Sequence, residues 1–191
     1  MPRLFTGIEL PEAIRDGLAR LKVPMAGARW IEPRNLHITL RFVGDIENAS
    51  ADTFADLLAR TSVDRFDARV MGVGTFGGAE PRVLWAGIEA GPELAELARA
   101  NDRAARGAGL PAPEHPFRAH VTLARLRYPR VTEIARFLER HGRLASEPFG
   151  VEEFVMFSSR PKTGGGPYVV EEVYPLRGGR SLGRVEEEGG W

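Results

Sequence analysis

Two tetrapeptides of the chain share one pattern of residue types, the sequence HITL at residues 37–40 and the sequence HVTL at residues 120–123. Alternate side chains of a β-strand point to opposite faces, so each tetrapeptide would present a histidine and a threonine on one face and bury two aliphatic side chains on the other. If the two strands lie side by side, both imidazoles and both hydroxyls line one cleft. Such a cleft is suited to proton transfer at a phosphate group.

His37 and His120 could act as an acid and a base at the same pH. The ordinary pKa of histidine is about 6.5, so one ring can be neutral while the other is protonated. Two rings in one cleft would titrate as a coupled pair and give a bell-shaped dependence of rate on pH. A single histidine on a half-buried strand is more often structural, and threonine is common in strands. The repetition of the whole motif is therefore what favours catalysis.

The strands and helices that must position these motifs follow one another in a β–α order. Alternation of apolar and polar residues predicts seven strands, over residues 3–10, 35–43, 66–73, 82–88, 117–127, 152–158 and 168–176. Apolar residues at helical spacing predict four helices, which contain Leu18, Phe54, Leu97 and Phe137. Strands mixed with helices that each have one apolar stripe exclude a bundle or a sandwich, so we expect an α+β fold with the helices outside its sheets.

Composition is that of an ordinary globular chain. The 191 residues suffice for one domain or two small packed lobes, and 26 basic residues balance 26 acidic ones, which disfavours binding of a long duplex by charge alone. The lack of cysteine excludes disulfides and thiolate catalysis. We expect a cytoplasmic protein, because the N-terminal residues are typical of a strand and no apolar stretch has membrane-spanning length. One domain is expected over residues 1–177, followed by a polar, mobile or loosely docked tail at 178–191.

Two glycine-rich motifs have weak functional interpretations. The sequence GVGTFG at residues 72–77 matches a dinucleotide-binding fingerprint, but a strand is predicted after it where a helix should begin, so we expect these glycines to form a turn. The glycines at 164–166 lack the lysine and hydroxyl residue of a phosphate-binding loop, so they indicate a hairpin loop.

Several isolated residues are open to more than one interpretation. His115 and His141 have no patterned neighbours, which indicates surface or loop positions. Three aromatic residues could stack a terminal base, although aromatic residues on strands are usually part of the core; these are Trp30, Phe42 and Tyr168.

Long stretches of the sequence resemble the two-histidine phosphoesterases, and among them the RNA 2′,3′-cyclic phosphodiesterases that are also called 2′-5′ RNA ligases. The resemblance rests on the paired His-x-Thr-x motifs and on five segments that span most of the chain, RLFTGIELP, RWIEPRNLHITLRFVGD, PRVLWAGI, FRAHVTLARLR and FVMFSSRPKTGGGPYVVEEVYPL. The chain departs from many members of the family at Ala119, where they have a proline before the second histidine. This difference removes no chemical group.

The resemblance implies a bilobal fold with pseudo-two-fold symmetry, one motif in each lobe and the active-site cleft between them. It implies that His37 is the proton donor and His120 the proton acceptor, and that Thr39, Thr122 and Arg125 bind the phosphate. It also implies that the protein uses no metal and no cofactor. We expect a monomer whose partner is an RNA terminus or a nucleoside 2′,3′-cyclic phosphate.

Strand parity places the two arginines near the motifs on different faces. Arg125 would point away from His120, so either the strand bends there or the side chain reaches around its end. Arg41 would share the face of His37 and Thr39, where both a role at the mouth of the cleft and a solvated side chain are open interpretations.

The implied reaction is the opening of a 2′,3′-cyclic phosphate to a 2′-phosphate. His120 takes a proton from water as its oxygen attacks phosphorus, and His37 protonates the departing 3′ oxygen. Microscopic reversibility lets a 5′ hydroxyl replace water, which gives ATP-independent 2′-5′ ligation. The alternatives are a non-catalytic module that binds RNA ends and a phosphodiesterase for another cyclic or 2′-5′ linked nucleotide. A zinc site is disfavoured because neither motif supplies a third protein ligand.

Overall fold

A computed structural model of the protein describes residues 3–159 and 168–178. Two predictions lie outside these residues: the hairpin loop at 164–166, and the tail from residue 179 onward.

Four α-helices and nine β-strands occur in the described part of the chain. The helices are α1 (Glu12–Ala19), α2 (Asn48–Leu58), α3 (Pro92–Gly107) and α4 (Val131–His141). The strands are β1 (Arg3–Glu9), β2 (Ala28–Trp30), β3 (His37–Asp45), β4 (Phe66–Phe76), β5 (Val83–Ala90), β6 (His120–Leu126), β7 (Phe149–Val151), β8 (Glu153–Ser159) and β9 (Val169–Pro175). All four predicted helices and seven predicted strands are present. The two additional strands, β2 and β7, have three residues each, which is too short for an alternation pattern to identify them.

The strands form one curled antiparallel sheet, and the α+β fold class is confirmed. Its strand order is β7-β4-β5-β6-β3-β1-β8-β9, with β2 paired to β6 outside this path. The order has two halves of four strands that meet between β6 and β3, and each half contains one motif strand. The halves are joined through a single registered pair, Ile38 with Val121.

The core lies on the helical side of the sheet. Ile38 and Val121 are completely buried, and the second aliphatic residue of each motif, Leu40 or Leu123, belongs to the same apolar cluster. Helix α3 packs against β3 and α2, and α4 packs against β4. The alternation inside each motif therefore follows the prediction, with the aliphatic residues in the core and the histidine and threonine on the other face.

Both motif strands carry a β-bulge at the last residue of the motif. Between β1 and β3, Thr6 pairs with Arg41 and Gly7 with Thr39, which leaves Leu40 without a partner. Between β5 and β6, the pairing skips Leu123 in the same way. Because a bulge inserts one residue, the alternation of faces shifts by one after each motif.

This shift corrects the prediction for Arg41, which is neither solvated nor on the face of His37. Only 7% of Arg41 is exposed, and its Nε lies 3.4 Å from the carboxylate of Asp102 on α3. Its guanidinium also donates hydrogen bonds to the carbonyls of Phe42 and Pro111. Arg41 therefore ties β3 both to α3 and to the segment that leads from α3 to β6.

The glycine motif at 72–77 was predicted to be a turn, and this is wrong for its first part. Gly72 and Gly74 lie within β4, and only Gly77 belongs to the turn before β5. Gly74 allows close packing across the strand pair, since a Cβ there would lie 2.2 Å from the ring of Trp85. Strand β5 follows instead of a helix, in agreement with the rejection of a dinucleotide site.

We predict that Ile38→Ala lowers the free energy of unfolding by about 2–5 kcal/mol, the usual range for an aliphatic side chain truncated in a packed core. Urea unfolding measures the change, and Val131→Ala, at a residue that is 63% exposed, serves as control with an expected change within about 0.5 kcal/mol. Equal effects of the two substitutions would contradict a tightly packed junction between the halves.

Candidate active site

The pairing of Ile38 with Val121 determines which motif side chains face each other. In an antiparallel register, this pair places His37 opposite Thr122 and Thr39 opposite His120. Two histidines and two hydroxyls thus stand at the corners of one small quadrilateral. The positive charges of His120 and Arg125 both act on the pKa of His37, as expected for groups in one site.

Each histidine is the first residue of its strand, where the predictions began the strands two and three residues earlier. In both motifs the imidazole Nδ1 lies within hydrogen-bond distance of the carbonyl two residues before it, 2.7 Å from Asn35 and 2.6 Å from Arg118. A carbonyl oxygen only accepts, so Nδ1 must donate and carry the hydrogen. Nε2 is consequently the atom of each ring that exchanges a proton in the cleft.

His37 is enclosed by aromatic rings. The ring centroids of Phe5, Phe157 and Tyr168 lie 5.0, 5.5 and 5.4 Å from its own, and its Nε2 lies 2.9 Å from the hydroxyl oxygen of Thr39. Burial is the main cause that lowers its pKa from 6.5 to about 4, and the charges of His120 and Arg125 add to the decrease, whereas the carbonyl of Asn35 opposes it.

His120 has a more open environment. Phe76 packs edge-on against its ring at 4.9 Å. Burial lowers its pKa, and the hydrogen bond to the carbonyl of Arg118 acts in the opposite direction. With both pKa values lowered, both rings are predominantly neutral at pH 7, and an anion held between them would raise the pKa of each.

Two adjoining cavities flank the motifs. The smaller, about 160 Å³, is lined by His37 and Thr122, and the larger, about 430 Å³, by His120. Thr39 and Phe42 line both, so they lie at the boundary between the cavities. These two cavities form one groove with a compact end at His37 and a wide end at His120, and a separate cavity of about 490 Å³ borders His120 from the side of Phe76 and Trp85.

Arg125 borders the smaller cavity together with His37, Thr39 and Thr122. The bulge at Leu123 is the reason, because it moves Arg125 to the face of His120 while Ala124 is buried. Of the two interpretations given for this arginine, a bend in the strand is correct.

The same shift exposes Phe42, the residue of β3 that corresponds to Arg125 of β6. Phe42 is 52% exposed at the groove and is not a core residue. Trp30, by contrast, donates its indole hydrogen to the carbonyl of Val23 and packs against Phe137, away from the groove. Tyr168 packs against His37 and borders the smaller cavity.

Three polar residues that line the smaller cavity were not found from the sequence. Arg3 lies on β1 and Ser159 on β8, both in the half of the sheet that contains β3. The side-chain oxygen of Asn35 accepts a hydrogen bond from the backbone N–H of Tyr168. No motif identifies Arg3 and Ser159, because they reach the cavity only through strand pairing. For Asn35, its position two residues before the histidine was the available signal.

The remaining histidines are outside the motif pair. His115 is exposed in the segment before β6 and borders the larger cavity. His141 ends α4 and packs against Phe137 at 4.6 Å.

Within residues 3–159 and 168–178, no group of three or more histidine and acidic side chains is placed to hold a metal ion. None of the helices in this part of the chain is long and apolar enough to cross a membrane.

We predict an acid-dependent loss of stability from His37. Between pH 6.5 and about 4 the unfolded chain binds a proton at this residue and the folded chain does not, so the free energy of unfolding falls as the pH is lowered through this range, by roughly 3 kcal/mol in total. Urea unfolding as a function of pH measures this fall.

The variant His37→Asn should lose this part of the pH dependence, and His141→Asn should keep it. A pH dependence that is the same in His37→Asn and in the unsubstituted protein would contradict the lowered pKa.

Comparison with known proteins places this geometry in a family. The family model described as LigT like Phosphoesterase matches the chain twice, over residues 8–85 and 88–168. The RNA 2′,3′-cyclic phosphodiesterase of Thermus thermophilus is 35% identical over 201 residues, which cover 98% of this chain and 96% of that protein.

Solved structures agree with this match. A crystal structure of a Thermus thermophilus protein has a TM-score of 0.77 at 29% identity and covers 93% of this chain and 100% of that one. Escherichia coli LigT complexed with 3′-AMP has a TM-score of 0.74 at 25% identity, covering 92% and 99%. Two successive matches to one family model, each containing one of the motifs that meet at the β3–β6 junction, show that the chain belongs to the LigT-like phosphoesterase family.

Proposed function

We propose that this chain is an RNA 2′,3′-cyclic phosphodiesterase, which opens the cyclic phosphate at an RNA end and leaves a 2′-phosphate. The observation that carries the proposal is the pair of opposed His-Thr motifs at one strand junction, with a cavity of about 160 Å³ beside them. The name of the Thermus relative, an RNA 2′,3′-cyclic phosphodiesterase, supports the same reaction class.

In the proposed mechanism, Nε2 of His120 takes a proton from water as the water oxygen attacks phosphorus. Nε2 of His37 donates a proton to the 3′ oxygen as its bond to phosphorus breaks. The attacking and leaving oxygens must be in line, and the two histidines border different ends of the groove, which supports opposite roles. Protonation of His37 at neutral pH then requires the substrate, because its negative charge raises the pKa of a ring that burial has lowered to about 4.

The two threonines of the quadrilateral, together with Arg125 beside it, would bind the phosphate oxygens. Thr39 and Thr122 present hydroxyls, and Arg125 presents forked N–H groups that suit phosphate geometry. Once His37 carries a proton on Nε2, the Thr39 hydroxyl no longer donates to this ring, and in this proposal all three side chains then meet the developing negative charge.

The proposal extends to the organisation of the protein. One catalytic domain over residues 1–177 acts as a monomer in the cytoplasm, without a metal or cofactor, on an RNA terminus or a nucleoside 2′,3′-cyclic phosphate. With a 5′ hydroxyl in place of water as the attacking group, the same site would carry out ATP-independent 2′-5′ ligation.

We predict that His37→Ala and His120→Ala each lower the rate with adenosine 2′,3′-cyclic phosphate by about 10²–10⁴, the usual contribution of a general acid or base. His141→Ala, on the far end of α4, should leave the rate unchanged. The assay is run in EDTA, and chromatography separates adenosine 2′-phosphate, the expected product, from the 3′-phosphate.

A module that binds RNA ends without turning them over would show no turnover in the unsubstituted protein. Formation of the 3′-phosphate, or inhibition by EDTA, would contradict the proposed chemistry even if turnover occurs.

We predict that a substrate with sulphur in place of the bridging 3′ oxygen separates the two roles. A thiolate leaves without protonation, since the pKa of a thiol is about 8.5. His37→Ala should therefore regain most of its lost rate with this substrate, whereas His120→Ala should not. Recovery in His120→Ala alone would reverse the assignment of acid and base.

A further inference from the structure

Four exposed side chains form a row that leads out of the smaller cavity along β2 and β6. This arginine row consists of Arg125, Arg29, Arg127 and Tyr128. Arg29 lies directly opposite Arg125 in the pairing of the two strands, and directly opposed residues share a face of the sheet. Ile31, two residues after Arg29, lines the smaller cavity together with Arg125. Both observations place Arg29 on the face of the groove, beside Arg125.

Arg127 continues the row beyond the end of β6. Its backbone N–H donates a hydrogen bond to the carbonyl of Gly27 at 2.8 Å. This bond extends the pairing of β2 with β6 and keeps Arg127, two residues after Arg125, on the same face. A Cβ at Gly27 would collide with the carbonyl oxygen of Arg127, so the close approach of the two chains requires glycine here. The position of Arg127 is thus fixed by the backbone.

An aromatic ring stands at the far end of the row. Tyr128 is 89% exposed, and the guanidinium carbon of Arg127 lies 5.7 Å from the centroid of its ring. The backbone of Tyr128 is left-handed, with a φ of 50°, which costs energy in a residue with a bulky side chain. A ring that lies in water does not stabilise the core, so packing explains neither its exposure nor this conformation.

The charge of the row is complementary to an anion. Among the described residues, neither Arg125 nor Arg127 forms an ion pair with a carboxylate, whereas other exposed arginines, such as Arg65 and Arg69, each pair with a glutamate. Guanidinium groups bind phosphate oxygens through two parallel hydrogen bonds. Successive arginines beside an exposed ring therefore match a chain of phosphates that carries bases.

The position of the row determines which part of a substrate it reaches. In the proposed mechanism the departing 3′ oxygen is on the side of His37, so the terminal ribose lies at the compact end of the groove. The strand that precedes this ribose continues from its 5′ carbon, away from the reacting phosphorus. Because Arg125 belongs both to the lining of the compact end and to the row, the preceding nucleotides pass directly from the cavity onto the row.

We propose that the arginine row binds the unpaired nucleotides that precede the cyclic end of the substrate. This inference rests on the proposed function. The arginines bind phosphates of the strand and Tyr128 stacks one base, a combination that holds single strands with little sequence preference. A base within a duplex is already paired and stacked. The preferred substrate is therefore an oligonucleotide with a single-stranded end, rather than a mononucleotide or a blunt duplex.

Substrates of increasing length test this proposal. Oligoadenylates of one to four nucleotides that end in a 2′,3′-cyclic phosphate are hydrolysed, and kcat and KM are determined separately. KM should fall by about tenfold from the mononucleotide to the tetranucleotide, within the range that one stacked base contributes, while kcat stays unchanged. A blunt duplex with the same cyclic end should lose this gain. Equal KM values for one and four nucleotides would overturn the proposal.

Substitutions at the far end of the row provide the second arm. Tyr128→Ala should raise KM for the tetranucleotide about tenfold, and Tyr128→Phe, which keeps the ring, should not. Arg127→Gln should raise the same KM and lower the slope of log KM against log salt concentration by about 0.7, the value for one phosphate contact to a single strand. Arg60→Gln, at an exposed arginine after α2, is the matched control without effect. The mononucleotide should give the same kcat and KM with every variant.

The outcomes separate this inference from the function beneath it. Turnover of all lengths with one common KM overturns binding by the arginine row and leaves the phosphodiesterase proposal intact. No turnover at any length overturns both. An increase in KM for the mononucleotide in Arg127→Gln or Tyr128→Ala, as large as that for the tetranucleotide, would mean that these residues act on the cleft itself, which also contradicts the proposal.

Discussion

The geometry of the site depends on a single pair of residues at which the two halves of the sheet meet. Ile38 and Val121 are completely buried and in register, and their neighbours on the other face are the side chains that can do chemistry. A change of register by one residue would turn the histidine of the displaced strand toward the core. Burial of two aliphatic side chains thus controls the relative position of two imidazoles that lie far apart in the sequence.

The second constraint is the bulge that each motif strand carries at its last motif residue. By shifting the alternation, it sends Arg41 into the core, where Asp102 compensates its charge, and brings Arg125 to the smaller cavity. The same bulge therefore has different consequences in the two halves of the sheet. In the half that contains β3 the residue facing the groove is Phe42, and in the half that contains β6 it is Arg125.

Much of this could be predicted from the sequence, because the relevant signals are local. The helices have continuous apolar stripes, and the motif strands alternate regularly as far as the bulge. The predicted sheet face of the side chains was wrong beyond Leu40 and Leu123, because nothing in the local sequence pattern indicates an inserted residue. Arg3 and Ser159 could not be assigned to the site either, because they reach the cavity beside His37 only through the pairing of strands that are distant in the sequence.

The anchoring of each Nδ1 to a backbone carbonyl has a consequence for the complete catalytic cycle. A ring held in this way cannot rotate to pick up a proton from another direction, so all exchange passes through Nε2. In the proposed mechanism one turnover leaves His120 protonated and His37 neutral, the reverse of the starting state. His120, at the wide end, can return its proton to bulk water, but His37 lies behind three aromatic rings. His37 can therefore regain its proton only through the groove, after the product has left and as the negative charge of the next substrate raises its pKa.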